Sequence, residues 1–136
     1  MKFTVYGEPV AKGRPRFSSK GGFVRSYTPE KTVNYENLVK LSFDTQVEDK
    51  YVIKWLVKAT IKAYFKIPSS FSKKKLKQIE DGALYPVKKP DCDNIAKTIL
   101  DALNGRAYED DKQVIILQVE KYYSTEPRVE VEITEV

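Results

Sequence analysis

The chain has 136 residues with one cysteine, Cys92, and no histidine, so disulfide frameworks, zinc clusters and Cys-His or Ser-His-Asp catalytic arrangements are excluded. Its length suits one domain with its own core, and no apolar run reaches membrane-spanning length or resembles a signal peptide, which leads us to expect a soluble, cytoplasmic protein. The net charge of +5 is pooled: residues 9–29 carry Lys12, Arg14, Arg16, Lys20 and Arg25 with no acid, and residues 62–89 carry eight lysines against Glu80 and Asp81. Residues 109–136 are acidic, with eight acids against Lys112, Lys121 and Arg128.

From the N-terminus, "KFTVYG" at 2–7 reads as a short strand, and the Gly-, Pro- and Ser-containing stretch after it as a loop or wide hairpin carrying the first basic block. Thr28-Pro29-Glu30 has the form of a helix start, leading into a helix over 29–47 with Tyr35, Leu38, Val39 and Ser42 near its buried face. From 55 to 66, Trp55, Val57, Ala59, Ile61, Ala63 and Phe65 alternate with a basic face, which predicts a strand. A short lysine-rich helix follows, from Ser70 or Ser72 to Gly82, with Leu76 and Ile79 inward.

After Pro90, residues 93–104 have the pattern of a helix, apolar at Ile95, Ile99, Ala102 and Leu103 and stopped by Gly105. Residues 113–123 and 128–136 read as strands joined by a turn near "STEP". The expected fold is α+β: one domain over 1–136, with a mixed or antiparallel sheet of about four strands packed by helices.

The chemistry concentrates in "DCDNIAKTILD" at 91–101. Asp91 and Asp93 stand two apart at a helix start, where both carboxylates can reach one ion. Asn94, Lys97 and Asp101 follow at spacings of three and four, so they share the helix face opposite the apolar one. Asp110 and Asp111 precede the next strand, and a strand returning beside the helix brings them back toward Asp91 and Asp93. Singly, each residue has an ordinary role, as a cap, a surface ion pair or a polar turn. Together they form carboxylates with a nearby lysine in a basic setting, which suits a hard divalent cation, Mg²⁺ or Mn²⁺, and chemistry on a phosphate. The absence of histidine reinforces that reading, since with no imidazole as general base a metal-bound water is the economical source of hydroxide near neutral pH.

"PDCDNIAKTILDAL" with "EDDKQV" resembles the D-x-D-N-x-x-K-x-x-x-D-A-L and D-D-x-x-V segments of the RusA family of Holliday-junction resolvases. "PVAKGRPRF" resembles the family's basic N-terminal loop. The resemblance implies a homodimeric, Mg²⁺-dependent endonuclease of DNA recombination and repair that nicks two strands of a four-way junction symmetrically. It implies Asp91, Asp93 and Asp111 as metal ligands, Lys97 at the scissile phosphate, and Asn94, Asp101 and Asp110 in support. DNA contacts would come from Lys12, Arg14, Arg16, Lys88 and Lys89, extended by the lysines of 73–77. Here Pro90 separates Lys88 and Lys89 from Asp91, where family members often have a basic residue. Two other readings remain: a PD-(D/E)xK nuclease using Asp91, Asp110 and Lys112, and a non-catalytic nucleic-acid-binding domain.

Overall fold

The computed structural model describes residues 1–13, 16–18, 20–22, 25–27 and 29–136, with the side chains of 16–18, 20 and 25–27 left out. Arg14 therefore lies outside the described residues, as do Thr28 and the side chain of Arg16.

The chain runs β1 (Lys2–Tyr6), β2 (Arg16–Ser18), β3 (Arg25–Tyr27), α1 (Glu30–Gln46), β4 (Val57–Lys66), α2 (Lys73–Glu80), α3 (Cys92–Ala102), β5 (Val114–Ser124) and β6 (Arg128–Glu135). Two 3-10 turns, Lys20–Gly22 and Asp111–Gln113, complete it. The α+β expectation is met: β1, β6, β4 and β5 lie in that order in one mixed sheet, while β2 and β3 form a separate antiparallel pair.

Alternation places Val57, Ala59, Ile61, Ala63 and Phe65 of β4 on the core face, beside Val129, Val131 and Ile133 of β6 and Phe3 and Val5 of β1, all buried. Helix α1 covers this face with Tyr35, Val39 and Phe43, and the Phe43 ring meets Phe3 edge to face at 5.5 Å. Helix α3 adds Ile95, Ala96, Ile99 and Leu100. Each large side chain so buried contributes about 1.5–3 kcal/mol. The apolar stripe of α3 thus fixes its orientation and turns Asp93, Lys97 and Asp101 away from the core.

Several sequence expectations need correction. Strand β4 begins at Val57, and Trp55 is 66% exposed; the anchor before the strand is Ile53, buried and bonded through its backbone N–H to the Ala107 carbonyl at 2.9 Å. Leu76 is 43% exposed, Ile79 is only partly covered and α2 buries no residue. Leu38 also stands largely outside the core, whose nearby helix position is filled by Val39. The N-cap position of α1 is occupied by Pro29. Strands β5 and β6, joined by the predicted turn, are not neighbours. Strand β4 lies between them, parallel to β5 and antiparallel to β6.

Candidate active site

Helix α3 starts at Asp91, whose extended backbone supplies the N-cap and whose carbonyl accepts the Ile95 N–H at 3.0 Å. The Asp91 side chain makes no cap hydrogen bond, and Asp93 sits in the exposed first turn. Both residues stand at the N-terminal, positive end of the helix dipole, where an anionic side chain is accommodated. Among the described residues neither is taken up by an ion pair. Asp91 opens onto a shallow groove shared with Val87, Lys88, Lys89 and Lys121. There the Lys121 ammonium donates to the Lys88 carbonyl at 2.6 Å and lies 5.0 Å from the Phe65 ring.

One turn further, Lys97 is exposed and 3.3 Å from Asp101, which orients its ammonium along the solvent face of the helix. Asp101 is shared: Lys12 donates to it at 2.6 Å and to Glu36 of α1 at 3.2 Å. Burial pulls the Lys12 pKa down, but the hydrogen bonds to Asp101 and Glu36 together with the negative charges of both carboxylates outweigh it and hold the group above its usual value. Asn94 grips the same stretch, its side-chain oxygen accepting the Lys12 N–H and its amide donating to the Lys12 carbonyl. Next along, the Gly13 N–H donates to the Thr32 hydroxyl oxygen at 2.8 Å. The sequence expectation placed Lys12 on DNA. The structure makes it an internal counter-ion that ties the basic N-terminal segment to α1 and α3.

The second acidic element is the turn Asp111–Gln113. Asp110 caps it, accepting the Lys112 N–H at 2.9 Å, while its own N–H donates to the Gln113 side chain at 2.9 Å. The Asp111 N–H donates to the Asn104 side chain at 2.9 Å, which pins the turn to the end of α3. Gln113 then donates to the carbonyls of Ile53 and Trp55, both at 2.8 Å. Beneath lies Tyr108, fully buried, whose hydroxyl donates to the Leu100 carbonyl at 2.6 Å. Burial first, then the nearby charges of Asp111, Asp101 and Asp110, push its pKa far up, so it stays a neutral donor.

Of the expected site residues, Asn94, Lys97 and Asp101 do share one face of α3, and Lys88 and Lys89 stand exposed beside Asp91. The carboxylates themselves are less assembled than the sequence suggests. Among the described residues no three acidic, cysteine or histidine side chains are grouped closely enough to hold a metal. The donor chemistry nonetheless suits a hard divalent cation, since Asp91, Asp93 and Asp111 offer oxygen and Cys92 is the only thiol. Sequence reasoning missed Glu36, Thr32, Asn104, Tyr108 and Gln113. Only Gln113 had a local signal, the D-x-x-Q spacing of a capping box at 110–113.

Residues 6–134 match the family described as endodeoxyribonuclease RusA, nearly the whole chain. The chain belongs to the RusA family. It is also similar to a Bacillus subtilis (strain 168) protein named "Uncharacterized protein YqaN", with 47% identity over 138 residues that cover all of this chain and 96% of the relative. As a RusA endodeoxyribonuclease it is a Holliday-junction-resolving nuclease, a hydrolase acting on branched DNA, in a family that depends generally on divalent metal. Among the described residues no helix is long and apolar enough to cross a membrane.

Proposed function

We propose that this RusA-family nuclease is a Mg²⁺-dependent, cytoplasmic homodimer of DNA recombination and repair that resolves four-way junctions by paired symmetric nicks, using the acidic and lysine-bearing face of α3. The observation that carries the reading is the pair of exposed carboxylates Asp91 and Asp93 at the open end of α3, without an ion-pair partner among the described residues and one helical turn from the exposed Lys97.

In this reading Asp91, Asp93 and Asp111 hold the ion. The assignment rests on donor chemistry and chain position, because the three carboxylates are not gathered as they stand. When bound, the ion supplies Lewis-acid activation and offsets charge at the phosphate. Lys97 adds a fixed positive charge for the developing phosphate charge, and Asp101 keeps its ammonium on the reacting side of the helix. Asp110 positions Asp111 by capping its turn, and Asn94 holds the N-terminal basic segment against α3. Lys88 and Lys89 contact the DNA backbone next to Asp91, and α2, whose Lys73, Lys74, Lys75 and Lys77 are all exposed, extends the positive surface.

The PD-(D/E)xK reading gains no support from the geometry. Asp110 is engaged as a cap toward the Lys112 N–H, and a helix rather than a hairpin connects Asp91 to it. Incubating the protein with a four-way junction and with linear duplex of the same sequence, in Mg²⁺ or EDTA, tests the proposal. Cleavage of the junction alone, abolished by EDTA, is expected; equal cleavage of the linear duplex contradicts it.

A further inference from the structure

Along β5 the side chains alternate between the open face of the sheet and the face that packs on the core. Val119 and Tyr123 fall on the core side and pack against it. Lys121, between them, falls on the same side and pairs with the fully buried Ala63 of β4. Alternation calls for an apolar residue there. The lysine instead reaches out over the buried Phe65, its ammonium 5.0 Å from the ring, and brings its charge to the groove beside Asp91.

That groove concentrates positive charge. Lys88, Lys89 and Lys121 line it with a single carboxylate, Asp91, and among the described residues none of the three lysines has an acidic partner within ion-pair distance. Lys88 and Lys121 also converge, their ammonium groups 5.7 and 5.0 Å from the same Phe65 ring. Like charges held together in this way repel until an anion enters between them. The Lys121 ammonium carries three donors and uses one on the Lys88 carbonyl, at 2.6 Å, in a bond at the surface. Two donors remain for a ligand.

We infer that Lys121 is a DNA-binding residue, and that the groove it shares with Lys88 and Lys89 seats a backbone phosphate of the strand being cut, beside the reacting one. A phosphate fits because it is anionic and offers several acceptor oxygens to ammonium groups approaching from different elements. Lys88 and Lys89 come from the loop before α3 and Lys121 from β5, so the anion would be held from two sides. Its place beside the reacting phosphate follows from Asp91, which lines the same groove. The inference rests on the proposed function, in which Asp91 holds the ion. Strand β5 is also a sheet edge, where an inward charge can serve to discourage pairing with another strand. That role needs no ligand and implies no link between Lys121 and any DNA phosphate.

The test measures binding of the full chain to a four-way junction in Ca²⁺, with the phosphates of one strand through the branch point neutralised one at a time as methylphosphonates. At one position near the branch, neutralisation should weaken wild-type binding by about 10- to 100-fold, as for loss of a charge-assisted hydrogen bond. Lys121→Met keeps an apolar stem over Phe65; it should bind the natural junction more weakly by a similar factor and be indifferent to neutralisation at that one position. Sensitivity elsewhere should persist, including at phosphates held by Lys88 and Lys89, which a mere displacement of their loop would not allow. Lys121→Arg should restore both the affinity and the sensitivity. Circular dichroism checks folding, and Lys121→Gln takes the place of Lys121→Met if that chain does not fold. Binding by the variant equal to wild type, or a scan in which no phosphate loses its effect, overturns the inference and leaves the nuclease reading standing. A wild type that does not bind the junction overturns both.

Discussion

The Lys12 ammonium lies 2.6 Å from Asp101 and 3.2 Å from Glu36, so one cation near the start of the chain fastens α1 to the helix that carries Asp91 and Asp93. Its side chain is only 24% exposed, and its backbone is gripped in the same place by Asn94. Breaking a charge-assisted hydrogen bond in this setting leaves the partner carboxylates short of a donor. Lys12→Ala and Asp101→Ala should each lower stability by about 1.5–3 kcal/mol in urea unfolding. The double variant should lose clearly less than the sum, since the residues share one interaction.

The pH dependence follows from the sign of the Lys12 shift. Folding raises its pKa, so its contribution is fully present below the unfolded value, about 10.4, and is lost as pH rises through the higher folded value. The stability gap between wild type and Lys12→Ala should therefore stay constant from pH 7 to about 10 and close above it. Urea midpoints measured across that range give the answer.

Two lysines separate the competing nuclease geometries. Lys97→Ala should reduce junction cleavage by about 10²–10³-fold with binding retained, as for loss of one charge-stabilising group. Lys112→Ala should leave cleavage close to wild type. Cleavage rates at saturating enzyme decide between them.

Helix α2 buries none of its residues, which leaves its four lysines available to DNA phosphates. Replacing Lys73, Lys74, Lys75 and Lys77 by alanine should flatten the dependence of log K on log salt for junction binding by up to about 3–4, close to 0.9 for each phosphate no longer neutralised. The intercept should fall with it. Gel shifts in Ca²⁺ over a salt series measure both.

Period-two alternation in β4 and β6 and the apolar stripe of α3 made most of the sheet and its covering helix legible in the sequence, because burial writes directly into those patterns. Trp55 misled because alternation continues past the point where the backbone leaves the sheet at Leu56. The order of strands was not legible. Nothing local tells β5 to pair with β4 on one side while β6 takes the other. In the site, the shared face of Asn94, Lys97 and Asp101 followed from helical spacing alone. The capture of Lys12 by Asp101 and Glu36 joins residues 89 and 24 positions apart, a distance over which sequence patterns carry no signal.

The most direct measurement places Asp93→Asn beside the wild type on one synthetic four-way junction, with binding read in Ca²⁺ and nicking in Mg²⁺. Asp93 lies in the exposed first turn of α3 and touches no part of the core, so the change removes a charged donor without disturbing the fold. Junction binding retained with nicking lowered at least ~100-fold, as expected when a metal ligand is removed, is the predicted result. Nicking at the wild-type rate would contradict the placement of the active site on this face of α3.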